Sequence, residues 1–386
     1  MNPKRNDRAE ADSKARLYFI DNLRIFLTIL VVLHHVAVTY GSGGSWYYLE
    51  HTGNVVANTV FSTFTSMNQM YFMGLFFLIA GYFTPASYNR KGFGAFVKDR
   101  IIRLGVPLLL FMFTFIPVLE YIKYRTNTGN RITFLDFYTY NVLGFRNLPP
   151  GHLWFVEALL LFTILYAIIR LFHNNENTKA AGKKITLTNR KIIIFIVFLA
   201  VFTFLTRICF KMGEEVFHLQ IAYFPQYISL FIIGILAYHN EWFLKLENAT
   251  GRIWVFITAA EFLLLEIGLG SLGFYNNIKP FQGGIDVHSL FLSFHQAIFC
   301  VGMCISMLYV FRKSYDRQGR IARTISGDAY TVYIIHAPVT IFTALLIRGI
   351  SLNPLLKFVI VSILSLVICF VLSHYIIRKI TAKIQI

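Results

Sequence analysis

The stretch YFIDNLRIFLTILVVLHHVAVTY, residues 18–40, decides the reading of this chain, because it is apolar enough to cross a bilayer yet carries ionisable groups. About 20 apolar residues cross the hydrocarbon core, and charge at that depth is costly and usually kept for function. A helix advances about 100° and 1.5 Å per residue, so the step from Arg24 to His35 returns the second side chain to roughly 20° from the first, about 16 Å further along. Arg24 and His35 share a face, and His34 does not. Asp21, Thr28 and Thr39 fall within roughly 40° of the same line, giving one polar stripe on a helix otherwise made of Leu, Ile, Val and Phe. Such a stripe must face protein or water rather than lipid.

The pattern repeats outward from this helix. The 386 residues are 56% hydrophobic and 14% charged, against roughly 25% charged in a soluble domain, so the chain is read as an all-α integral membrane protein. Apolar windows near 18–40, 67–87, 102–122, 152–172, 191–210, 218–239, 252–271, 290–311, 328–348 and 354–376 give ten transmembrane helices. Residues 55–67 are polar and aromatic, and are read as an outer loop or a short interfacial helix leading into Met70–Tyr82. Lys and Arg collect on the cytoplasmic side of spans. Twenty-five of the 36 fall on the tails and the even-numbered loops, against nine on the other side, which places the N- and C-termini in the cytoplasm. The organisation is a polar tail over 1–16, a membrane domain over 17–376 and a short tail over 377–386.

Several function classes are excluded. The net charge of +17 is spread over cytoplasmic loops as topology demands, so nucleic acid is not the expected partner. The first apolar run is too long for a removable signal, and no small-residue cleavage site follows it. Cys209, Cys300, Cys304 and Cys369 lie within predicted spans with no CxxC pair, so neither a metal site nor a disulfide framework is expected, nor a tightly bound cofactor.

The candidate chemistry lies in a few constellations. Lys98-Asp99-Arg100-Ile101-Ile102-Arg103 opens the third span. Arginines at i and i+3 project together, and their planar forks suit phosphate oxygens, as in a nucleotide-bearing donor; they also suit lipid headgroups. At the fourth span, Pro149-Pro150-Gly151-His152-Leu153-Trp154 leads to Glu157, a carboxylate inside the membrane that either holds a substrate hydroxyl or pairs with a neighbouring His or Arg. His336 sits mid-span beside Pro338, which frees a backbone carbonyl where a cavity is needed. Glu261, Glu266, His295 and Gln296 are read as packing partners. The Gly-rich loop from Tyr40 to Tyr48 lacks the Lys-Ser/Thr ending of a phosphate loop, and its aromatics suit a carbohydrate-facing surface or any interfacial loop.

With Arg24, His35, the Arg100/Arg103 pair, Phe76-Phe77-Leu78-Ile79-Ala80-Gly81-Tyr82 and His152-Leu153-Trp154-Phe155 on the page, the chain resembles the bacterial acyltransferase family 3 over roughly 16–376. More narrowly it is similar to the glucan-modifying branch, which adds succinyl groups to periplasmic glucans. In that family an Arg and a His with ten residues between them in the first helix are needed for activity, and Arg24 and His35 match. Two arginines separated by two residues at the cytosolic end of a helix form a second signature, matched by Arg100 and Arg103. The chain lacks the extra helix and esterase-like domain of some members, which leaves room for a separate extracytoplasmic partner enzyme.

The resemblance implies a transferase of the bacterial inner membrane with cytosolic acyl-CoA as donor. It also implies a hydroxyl of an extracytoplasmic or lipid-linked carbohydrate as acceptor, and acetyl or succinyl as the group moved. His35 then acts as general base or carries the acyl group covalently. Arg24 orients and stabilises charge, Asp21 pairs with Arg24, Arg100 and Arg103 hold the donor phosphates, and Glu157, His152 and His336 support the substrate. The rival expectation is an exporter of a polysaccharide or lipid-linked glycan, since buried ionisable residues and a Pro-broken helix suit transport equally.

Overall fold

The computed structural model describes residues 16–50, 52–129, 132–173, 184–274 and 277–379; the outermost parts of both predicted tails, 1–15 and 380–386, lie outside them. The described chain is a helical bundle. Helix α1, Tyr18–Tyr40, has no side-chain cap of its own. Its start is anchored from elsewhere: Phe19 N–H donates to Asp316 Oδ1 at 3.2 Å, and the Asn22 amide donates to the carbonyls of Tyr315 and Arg317 at 2.6 and 2.9 Å. Residues 41–50 and 52–54, outside any helix, precede α2, Val55–Arg100, capped by Asn54, whose side chain accepts from Ala57 N–H. Residues 55–67 are therefore the first turns of α2 rather than a loop.

Helix α2 runs on past the predicted end of the second span. Its one non-helical residue is Gly92, at φ 72°, ψ 173°, a conformation open to glycine. A π-turn over Ile101–Gly105 joins α2 to α3, Val106–Phe113, and α4, Phe115–Thr128, follows at a 40° bend. The short α5, Phe134–Tyr138, precedes α6, Trp154–Phe172. Helices α7, Asn189–Cys209, and α8, Phe224–Asn240, come next. The short α9, Trp242–Lys245, leads to α10, Asn248–Ser271, and the short α11, Lys279–Gln282, to α12, Val287–Ser314. The bundle closes with α13, Arg320–Leu346, and α14, Pro354–Leu372. Among the described residues, eight helices are long and apolar enough to cross a membrane, or nine if the bent run Val55–Thr128 counts as one span. The ten predicted helices differ only there, where the sequence pattern divides 67–87 from 102–122 and the chain follows one nearly continuous helical path.

Helices α1 and α13 are central, each with 67% of its apolar window buried, whereas α10 and α14 are peripheral at 28%. The peripheral helices turn Phe256, Leu263, Ile363 and Val367 outward, as a lipid-facing surface requires. Helix α2 crosses α8 where Gly81 faces Phe231 and Gly234 faces Leu78, so close that a Cβ on either glycine would strike the other helix's backbone carbonyl. Small residues at such crossings let membrane helices pack backbone to backbone. This close crossing holds α2 against the rest of the bundle and fixes one wall of the cavity described next.

Candidate active site

Three histidines from distant parts of the chain meet where α1, α6 and α13 come together. His35 and His336 have ring centroids 4.9 Å apart, and His336 and His152 5.1 Å. His336 is fully buried and His152 nearly so. Each ring is oriented by a backbone carbonyl. His35 Nδ1 lies 2.9 Å from Val31 O, His336 Nδ1 2.6 Å from Tyr333 O, and His152 Nε2 2.8 Å from Ile334 O. Ile334 is four residues before Pro338, whose missing N–H leaves that carbonyl without its helical donor; His152 fills the vacancy.

These contacts fix where the protons sit. A carbonyl only accepts, so the ring nitrogen facing it carries the hydrogen. A buried unpaired charge is costly, and among the described residues no carboxylate forms an ion pair with any of the three, so the rings are neutral. His336 then presents Nε2 as an acceptor, 3.1 Å from His35 Nδ1. His35 donates from Nδ1 both to Val31 O and to His336, which leaves its Nε2 a bare base. By the same logic His152 Nδ1 is a bare acceptor, and it is buried without a partner.

A cavity of about 550 Å³ reaches this cluster, with His34, His35, His152 and Tyr333 in its wall. Its wall also holds Trp46 and Tyr47 from the loop after α1, Glu120 and Lys123 from α4, and Glu215 and His218 from the segment between α7 and α8. Trp46 stacks on His35 with centroids 4.0 Å apart and planes at 22°. The loop that carries Trp46 is tied down: Glu50 N–H donates to Thr39 O at 2.8 Å, Lys123 Nζ to Ser45 Oγ at 3.0 Å, and the buried Lys357 pairs with Glu50. Tyr47 Oη accepts from His152 N–H at 3.3 Å. Gly151 has φ +56°, and a Cβ there would strike Tyr47 Oη, so the Pro-Pro-Gly turn admits only glycine where the two segments touch.

The predicted residues divide between this site and the opposite end of α1. The polar stripe is turned inward: Thr28 and Thr39 are buried and donate to the carbonyls of Arg24 and His35. Arg24 Nη1 stands 3.8 Å from Asp21 Oδ1, and Arg16 Nε stands 2.7 Å from Asp21 Oδ2, so Asp21 is shared by two arginines. Arg103 Nε pairs with Asp99 at 2.8 Å, and Arg100 lies over the Phe96 ring with its Nε buried and unpartnered. Arg24, Asp21, Arg100 and Arg103 do not line the cavity. Neither does Glu157, whose Oε2 is buried with no partner among the described residues. Tyr330 joins the two ends, since its hydroxyl donates to Arg103 O at 2.8 Å and it shares α13 with Tyr333 and His336. Among the described residues no group of three or more His, Cys, Asp or Glu is arranged to hold a metal ion.

Sequence reading missed His34, which lies off the polar stripe yet lines the cavity and stacks on Phe72 at 5.0 Å. It also missed Arg207, counted there among outer-side charges and here fully buried, with Nη2 2.6 Å from Gln296 Oε1 and Nη1 3.3 Å from Ser293 Oγ. Gln296 in turn donates to Gln226 Oε1 at 3.2 Å, a polar seam through three helices. Glu261 and His295 pair at 2.5 Å, the packing role expected of them.

The helical bundle thus sets a histidine cluster against the wall of one cavity, and comparison with known proteins gives its class. The chain belongs to the acyltransferase family: the family described as "Acyltransferase domain" matches residues 17–374. Similar to it are proteins named "Glucans biosynthesis protein C". That of Escherichia coli O6:K15:H31 is 26% identical over 238 residues, 58% of each chain. That of Salmonella paratyphi B is 24% identical over 344 residues, 85% of this chain and 83% of the relative. The matched region thus spans a little over half the length of the Escherichia coli relative. No solved structure matches. The protein is an acyltransferase-family member integral to a bacterial inner membrane, in keeping with its helical build, since outer-membrane spanning proteins are closed barrels.

Proposed function

We propose that this acyltransferase moves an acyl group, acetyl or succinyl, from cytosolic acyl-CoA to a hydroxyl of an extracytoplasmic or lipid-linked carbohydrate, a glucan being the acceptor that its relatives' name suggests. The observation that carries the reading is the bare Nε2 of His35 in a cavity wall, with Nδ1–H held by Val31 O and His336 Nε2. An imidazole so oriented takes the proton of a hydroxyl as it attacks a thioester carbon. The charge it acquires is then met at Nδ1 by two acceptors.

Both termini lie in the cytoplasm in this reading, and the cavity opens outward to admit the glycan past Trp46 and Tyr47. The donor enters from the other end. Arg100 and Arg103 hold CoA phosphates, and the acyl arm follows α13 past Tyr330 toward His336, a rise of about 9 Å for six residues. Arg24 stabilises charge on the donor, and Asp21 restrains its side chain. The test is the purified protein in liposomes supplied with radiolabelled acetyl-CoA or succinyl-CoA and a glucan oligosaccharide. Label should pass to the sugar with the wild type and not with His35→Ala. Glycan crossing the bilayer with no acyl-CoA consumed would replace this reading with the exporter.

A further inference from the structure

Acyl transfer needs more than a base. As the hydroxyl oxygen attacks, the carbonyl π pair moves onto the thioester oxygen, and a positioned donor at that oxygen is commonly the largest single catalytic contribution. Arg24 does not supply it at His35, because it stands about 16 Å along α1 and outside the cavity wall. The nitrogens that the carbonyl contacts leave free, His35 Nε2 and His152 Nδ1, are acceptors. Tyr333 has already given its hydroxyl proton to His152 O at 2.7 Å.

Trp46 is different. Its side chain lines the cavity, is 7% exposed, and holds Nε1 out of water with no hydrogen-bond partner among the described residues. Indole N–H is a donor only, and a buried donor left unpaired is destabilising. The fold maintains that cost through the ion pair of Lys357 with Glu50 and the backbone bond from Glu50 to Thr39, which hold the loop over the site. The indole also lies flat on the His35 ring, with centroids 4.0 Å apart. Polar atoms in the two ring planes therefore stand on adjacent, nearly parallel levels, one carrying the base and the other the donor.

We propose that the Trp46 indole N–H is the oxyanion donor of the site, a role that rests on the acyl-transfer reading above. The acceptor oxygen bonds to the thioester carbon as His35 Nε2 takes its proton, and the negative charge gathers on the carbonyl oxygen against Trp46 N–H. The pair then returns to carbon, the C–S bond breaks, and the CoA sulfur leaves with the proton from His35. The indole face has a second use, because the imidazolium formed midway lies on the ring best suited to hold a cation.

Replacing Trp46 by benzothienylalanine, which puts sulfur where indole has N–H, keeps shape, stacking and aromatic face and removes only the donor. Turnover of acetyl-CoA or succinyl-CoA with a glucan oligosaccharide should fall roughly 100- to 1,000-fold, the cost of one oxyanion-hole donor. KM for acyl-CoA, membrane abundance and melting temperature should stay as in the wild type. Trp46→Phe, which keeps an aromatic face, should fall as far. Turnover within threefold of wild type in the benzothienylalanine protein overturns the assignment, and so does a loss that appears only as raised KM or lowered melting temperature. If the wild type itself transfers no acyl group, the functional reading fails and this proposal with it. A wild type that turns over beside an equally active sulfur variant removes Trp46 alone.

Discussion

Replacing His336 with Phe probes the second hydrogen bond at His35 Nδ1. The ring is fully buried, and Phe keeps an aromatic side chain of similar size while deleting both nitrogens. What His35 loses is the acceptor 3.1 Å from its Nδ1, while Val31 O remains; the Tyr333 carbonyl also loses its contact with His336 Nδ1. When His35 takes a proton, that bond becomes one from a charged donor, worth about 1.5–3 kcal/mol. At about 1.4 kcal/mol per tenfold in rate, kcat should fall roughly 10- to 150-fold with little change in KM for acyl-CoA. His336→Gln, which offers an amide oxygen in place of Nε2, should recover part of the loss. The assay is the initial rate of acyl transfer in liposomes, with each variant matched for membrane abundance and melting temperature. A Phe variant within threefold of wild type would refute the role given to His336, because His35 would then need no second acceptor.

Three further outcomes follow from the packing and the charges. Gly81→Val drives a side chain into the Phe231 carbonyl and should cost about 1–3 kcal/mol or more, as overpacking does, seen as a lower unfolding midpoint in detergent. Lys357→Met strands Glu50; removing one partner of a buried pair costs up to about 3–5 kcal/mol, and less here because Glu50 keeps some exposure. Proteolysis at 41–50 should rise and turnover fall, while adding Glu50→Gln should restore both; a single variant as protease-resistant as wild type would contradict the clamp. The Arg100→Ala/Arg103→Ala pair should raise KM for acyl-CoA at least tenfold with the protein still in the membrane, and an unchanged KM removes the donor-phosphate assignment.

Hydropathy alone locates nearly every helix, because each must satisfy its own backbone in lipid and so reads as a long apolar run. It fails to anticipate the path from Val55 to Thr128, where the polar and aromatic residues 55–67 are helical and only Thr65, Ser66 and Met67 among them line the cavity. Periodicity on α1 also gives the inward stripe from Asp21 to Thr39. The site is less legible. His336 and His35 touch across 301 residues of sequence, and His152 reaches Ile334 across 182, and nothing local states those distances. Pro338 signals a freed carbonyl but not that His152 receives it. Trp46 reads as an interfacial aromatic, since its stacking on His35 depends on the course of residues 41–50. His34 is missed because the cavity meets the α1 face of Val31, His34, His35 and Val38, which is rotated from the polar stripe, and Arg207 because a terminal Arg beside a loop looks exposed until Gln296 and Ser293 close over it.

The most direct test of the central claim, that His35 is the base of an acyl transfer to carbohydrate, is mass spectrometry of ester-linked acyl groups on envelope glycans. Cells should express either the wild type or His35→Ala at equal membrane abundance. The account predicts an acetyl or succinyl mass on the glycan with the wild type and none with the variant. Equal acylation in both, with a difference only in the amount of glycan outside the cell, would contradict it.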